Sequence, residues 1–170
     1  MCTPLICAPL HNGAMSFLRY IMSLSLAAWV GGIVFFVSMT PILFSVLPSR
    51  HLAGSVVSPA LTRLHWIGII SGVLFLASSL ALTRFTTGDF RPLAGAHILV
   101  ALMLGLTCIS QFGLSPRLAA IRAETPVMDS APAEVRERFD ALHQWSTRLE
   151  GGVLLMGLVV IYLVARERAV

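Results

Sequence analysis

The sequence contains no lysine: all twelve basic residues are arginine. Charge of either sign is scarce, at 12% of residues, about half the share usual in a soluble domain. With 56% hydrophobic residues and a mean hydropathy of +0.84, this excludes a disordered chain and an ordinary water-soluble enzyme. Cysteine is sparse too. Cys2, Cys7 and Cys108 have no zinc-type spacing and make no disulfide framework, so a secreted, bridge-stapled module is excluded. Cys108 falls within an apolar run and is expected to pack as a small hydrophobe. The net charge of +4 comes from arginines scattered singly at the ends of apolar runs, not gathered in a stripe. That is the pattern of membrane orientation and headgroup contact, and it argues against a nucleic-acid partner. No nucleophile elbow, phosphate loop or paired catalytic carboxylates are present, and an enzyme is the less favoured reading.

What remains is 170 residues, a length suited to one domain, with long charge-free gaps. Thirty uncharged residues separate Arg19 from Arg50, twenty separate Arg63 from Arg84, and twenty-five separate Arg91 from Arg117. Fifteen separate Glu150 from Arg166. A bilayer core of roughly 30 Å takes about 20 helical residues. The sequence therefore predicts an all-α, antiparallel up-down bundle of four transmembrane helices, with spans near 17–39, 60–83, 92–115 and 146–165. Partners follow from this class: the lipid bilayer, a possible second copy, and an unidentified small ligand or ion.

Residues 1–16 carry no charge and hold Pro4, Pro9 and Gly13. They lack the basic segment of a secretory signal. They are expected to be unstructured or a misassigned extension, with translation starting at Met15, leaving 17–168 as a single domain. Pro41 and Pro48 are expected to punctuate the exit from span one. Pro59 suits the first turn of span two, and Ser49–Ser58 reads as an interfacial turn. In span one, Ala27/Gly31 and Ala28/Gly32 are small-residue pairs that let helices approach closely. Thr86-Thr87-Gly88-Asp89 has turn chemistry. Pro116 is expected to kink or end span three, with Leu118 to Ala123 continuing as a short helix outside the membrane.

Residues 117–150 hold eleven of the twenty charges. Within this hydrophilic stretch (loop 117–145), Thr125–Pro132 reads as the connection proper. Val135, Phe139, Leu142 and Leu149 then recur at helical spacing. One helix is expected to start in water, lie amphipathically at the membrane surface and continue as span four. Four spans put both termini on one side with five arginines, against seven on the side of loops one and three. Positive-inside counting thus leans towards loops one and three in the cytoplasm, and a bacterial inner membrane is expected.

Fifteen residues are too few to span, so span four must extend back past Glu150 and carry a carboxylate to the edge of the hydrocarbon. An ionisable group there points to a site unless it is paired. Phe139, His143, Thr147 and Glu150 share a helical stripe, with Ser146 beside it. Glu150 has Arg148, Arg63 or Arg117 as expected partners. Gln111, with Thr107 and Ser110, forms a polar patch late in span three, on the same side. His65, His97 and His143 raise a haem or metal alternative. Only His65 and His143 are expected at matching depth, His97 being across the bilayer, so no cofactor is the favoured expectation. A small oligomeric transporter or tolerance factor is a further alternative. Trp66, Trp145, Tyr20 and Tyr162 suit an aromatic belt, and Trp29 is expected inside the bundle.

Several elements resemble the transmembrane protein 205-like family: Trp29-Val-Gly-Gly-Ile-Val-Phe-Phe, Leu43-Phe-Ser-Val-Leu-Pro48 with the Gly54 connection, Leu114-Ser-Pro-Arg117, and Phe139-Asp-Ala-Leu-His143-Gln-Trp-Ser146. The resemblance covers about Phe17 to Leu163. It implies a small four-helix membrane protein without an established biochemical activity, with Phe139, His143 and Ser146 at signature positions. The family's frequent Asn near the entrance of span four is replaced here by Glu150 or its neighbourhood. The fold is also similar to the copper-resistance D type and to the four-helix protoporphyrinogen oxidase of haem synthesis, analogies of fold only.

Overall fold

The computed structural model describes residues 4–87, 95–125 and 130–167, with side chains over 12–86, 95–125 and 130–166. The chain is a four-helix bundle. Helix α1 spans Pro4–Val46, α2 Arg50–Thr87, α3 Gly95–Cys108 and α5 Ala133–Glu167. A π-helical turn, Ile109–Leu114, joins α3 to the short α4, Ser115–Glu124. The stretches Asn12–Val46, Arg50–Thr86, Gly95–Glu124 and Ala133–Arg166 are long and apolar enough to cross a membrane. They are 30 to 37 residues long, well beyond the roughly 20 that hydrocarbon requires.

The helices extend further than the charge-free gaps suggest, because their ends are set by caps and prolines. Helix α1 begins at Pro4, ahead of the start expected near Phe17, and continues through Pro41 to Val46. A proline inside a transmembrane helix is tolerated when hydroxyls and neighbouring helices satisfy the freed backbone. The carbonyl freed by Pro41 is that of Val37, four residues back; in the same stretch the Ser38 and Thr40 hydroxyls donate to other carbonyls, those of Val34 and Phe36. The expected turn at Ser49–Ser58 is helical instead. Ser49 caps α2, its Oγ accepting from the Leu52 N–H at 3.1 Å, so Pro59 lies inside the helix. Much of the segment 117–145 is likewise helical, in α4 and the first half of α5. The expected continuous helix after Pro132 is present. The turn expected at 86–89 and the start of span three near Pro92 fall largely on residues 88–94, outside the described part.

Helix α1 packs along α2, α2 along α3, α3 along α5, and α5 returns to α1. Met22, Leu26, Trp29 and Ile33 form the buried stripe of α1 and meet Phe75, Val100, Met103 and Val153 in the core. The outward surface is apolar as well. Phe35, Ile70, Leu102 and Leu155 are all more than half exposed, which water would penalise and lipid does not. Trp29 is 2% exposed, inside the bundle as expected. Its indole occupies the space left by Gly68 and Gly72 of α2. A Cβ on Gly68 would stand 2.8 Å from Trp29 Cε2, and one on Gly72 2.7 Å from Trp29 Cζ3. Of the small residues singled out in α1, Gly32 meets Leu64, whereas Gly31 faces open space.

This packing predicts opposite outcomes for two identical substitutions. Gly68→Ala should lower the melting temperature of the detergent-purified protein through an overpacking cost of about 1–3 kcal/mol. Gly105→Ala, with nothing within 4 Å of its Cβ position, should leave it unchanged or raise it slightly. Equal effects would refute the tryptophan–glycine fit.

Candidate functional site

Three polar side chains from three helices meet at one level of the bundle. The His65 ring, 1% exposed, is engaged at both nitrogens. Nδ1 lies 2.8 Å from Gln111 Oε1 and Nε2 lies 2.6 Å from Glu150 Oε1. Each partner stands at the edge of an apolar run. His65 is two residues beyond Arg63, Gln111 is six before Arg117, and Glu150 joins the charged first half of α5 to its apolar second half.

Local backbone features aim these groups. Pro116 has no N–H to offer the carbonyl four residues back, and its ring crowds that carbonyl. The preceding turn widens into the π-helix, with the Ser115 N–H bonding to Ser110 O five residues back. Gln111 sits on this widened turn. Outside it, Trp66 and Phe112 meet edge to face, their ring centres 6.1 Å apart.

The hydrogen-bond geometry restricts the charge. With the amide oxygen of Gln111 accepting, Nδ1 carries a proton. The short Nε2···Oε1 contact then holds one further proton, on the imidazole or on the carboxyl. Either placement leaves the pair without net charge, which is how an ionisable pair is best kept away from water. The expected arginine partners of Glu150 do not bond to it; among the described residues its partner is His65. Nor do His65 and His143 come together. His97 is held elsewhere, its Nε2 2.8 Å from Ser79 Oγ.

Glu150 also faces a partly open cavity of about 450 Å³, within the size range of small-molecule sites. Arg122, His143, Ser146 and Thr147 share its polar side. Phe36, Phe44, Leu61 and Leu154 contribute to its apolar side. The predicted stripe is therefore partly realised. His143, Ser146, Thr147 and Glu150 all line the cavity, whereas Phe139 stands behind, stacked on His143 at 6.2 Å and beneath the Arg122 guanidinium at 5.2 Å. Thr147 spends its hydroxyl on the His143 carbonyl at 3.0 Å. Thr107 and Ser110 hydroxyls are buried near Gln111 with no hydrogen-bond partner. Arg122 escaped the sequence reading because α4 was expected to lie outside the membrane. The spacing of Ser115, Leu118 and Arg122 on one helical face was the available signal.

A family model described as a domain of unknown function (DUF4149) matches residues 24–126. The chain belongs to the DUF4149 family. Neither the curated proteins nor the solved structures include a match to it. The DUF4149 segment carries His65, Gln111 and Arg122, while Glu150 and His143 lie beyond it on α5.

Removing one member of the buried pair should cost about 3–5 kcal/mol, because the other is stranded. In a double-mutant cycle with His65→Leu and Glu150→Leu, the combined loss should fall short of the sum by more than about 1 kcal/mol. His143→Ala should cost far less than Glu150→Leu. Additive losses in a reversible unfolding assay in detergent would refute the contact.

Proposed function

We propose that this DUF4149 protein is a non-enzymatic, transmembrane protein 205-like bundle of a bacterial inner membrane that binds a small ligand in the cavity between α1, α2, α4 and α5. One observation carries the reading. Glu150 is fixed by His65 on one side and lines the cavity on the other, so a costly buried carboxylate is built into the wall of a space large enough for a ligand. Of the polar cluster Gln111, His143, Ser146, Thr147 and Glu150, the last four line the cavity and supply hydrogen-bonding groups along one wall, and the apolar side accommodates a hydrocarbon portion. The resemblance at Phe139, His143 and Ser146 supports the same reading, since these signature positions fall in or against the cavity wall. The haem or metal alternative through His65 and His143 has less support, because both His65 nitrogens are engaged by Gln111 and Glu150. No particular observation favours an oligomeric transporter.

Gly151 lines the cavity, and nothing lies within 4 Å of its Cβ position. Gly151→Trp should therefore fill the space without dislodging the His65–Glu150 pair. A photoactivatable alkyl probe with an uncharged head, added to liposomes containing the protein, should label peptides from the cavity wall. Gly151→Trp should reduce that labelling at least about tenfold at unchanged melting temperature. Undiminished labelling would contradict the reading.

A further inference from the structure

The two charged groups on the cavity wall are not equivalent. Glu150 is neutralised by His65 at 2.6 Å. Arg122 has no carboxylate bonded to it among the described residues. The lining therefore carries one uncompensated positive charge. That charge is also held in a fixed plane. Three guanidinium atoms, Cζ, Nε and Nη2, lie 3.7 to 3.8 Å from the point where a Cβ on Gly54 would stand. The guanidinium thus faces α2 at Gly54 with room for a methyl between them, and the Phe139 ring of α5 lies 5.2 Å from Cζ. Packing and cation–π attraction order the group while its N–H edge stays available. A planar, ordered guanidinium suits bidentate binding of phosphate.

The rest of the cavity suits a chain. Its α1 wall runs from Ile33 to Phe44, twelve residues and roughly 16 Å of helix rise. Arg122 is at the loop end of α4, two helical turns beyond Ser115. The cation therefore stands towards the membrane surface and the apolar wall runs inward. A molecule with a phosphate at one end and hydrocarbon at the other matches this polarity, and the bilayer supplies it.

We infer that the cavity takes an acyl chain of an anionic phospholipid whose phosphate is bound by Arg122, an assignment that rests on the cavity being a ligand site. A methyl at Gly54 would still meet the guanidinium at an ordinary contact distance, so the ring of Phe139 is what keeps the group in place. Zwitterionic and anionic lipids present the same phosphodiester, and the selectivity is for net negative charge, because a headgroup cation would stand beside the Arg122 charge while the neutral His65–Glu150 pair offers it no counter-charge.

The test uses the full chain in liposomes of neutral lipid with trace photoactivatable phosphatidylglycerol or phosphatidylcholine of the same acyl chains. Crosslinking to peptides of the Ile33–Phe44 wall is measured. Phosphatidylglycerol should label at least about tenfold more strongly than phosphatidylcholine. Arg122→Gln should abolish the preference, Arg122→Lys should retain only part of it, and Arg136→Gln, on the exposed face of α5, should keep it intact. Inorganic phosphate at millimolar concentration should not compete; competition would reassign Arg122 to a free anion and overturn the lipid assignment. Equal labelling by the two lipids in the wild-type protein would overturn it without any variant, while leaving the cavity as a ligand site. Absence of wall labelling by either lipid, with the uncharged alkyl probe also silent, would instead remove the reading beneath it.

Discussion

The contact between His65 and Glu150 is the constraint around which the rest of the site is arranged. It ties α2 to α5 through a 2.6 Å bond between groups that are 1% and 13% exposed. Neither partner is stable alone at that position: an imidazole would lose a hydrogen bond, and a carboxylate would face hydrocarbon unpaired. Together they form a neutral unit, and Gln111 completes it from a third helix. The surrounding core, built from Trp29, Phe75, Val100 and Met103, holds the helices at the separation this bond requires. The fit of Trp29 over Gly68 and Gly72 matters for the same reason, since those glycines lie one and two turns beyond His65 on α2.

The π-turn shows how a backbone constraint becomes a side-chain position. Pro116 deprives the helix of a hydrogen bond, and the chain answers by widening one turn. The altered turn carries Ser110 and Gln111. Without it, the side chains of α3 and α4 would follow one uninterrupted helical register. The proline thus acts on the site from five residues away. The same stretch sets the course of α4, whose Arg122 reaches the cavity and stands over Phe139.

Much of this was legible in the sequence. The charge-free gaps identify four spans because inserting an unpaired charge into lipid is costly. The shortness of the last gap singles out Glu150, and the polar patch at Gln111 falls on the correct side. Helix ends were less legible. They depend on Ser49 capping α2 and on Pro41 and Pro59 being accommodated within helices, features that a count of charges does not register. The identity of Glu150's partner was hidden for a different reason. Arginine is the obvious counter-ion by charge, yet Arg63 and Arg148 sit where their side chains can reach water, whereas His65 is locked into the core. Arg122 was read as part of an external helix, since sharing a face with Ser115 and Leu118 does not by itself tell that the π-turn and α4 bring it back over Phe139.

The account therefore stands or falls with one interatomic distance in the membrane. Solid-state NMR of the protein in lipid bilayers, with labelled histidine and glutamate, measures dipolar coupling between His65 Nε2 and the Glu150 carboxyl carbon. The account predicts a strong coupling, in keeping with the 2.6 Å nitrogen–oxygen contact, that disappears in His65→Leu. A spectrum in which His65 shows no coupling to Glu150, while the four helices are intact, would contradict it.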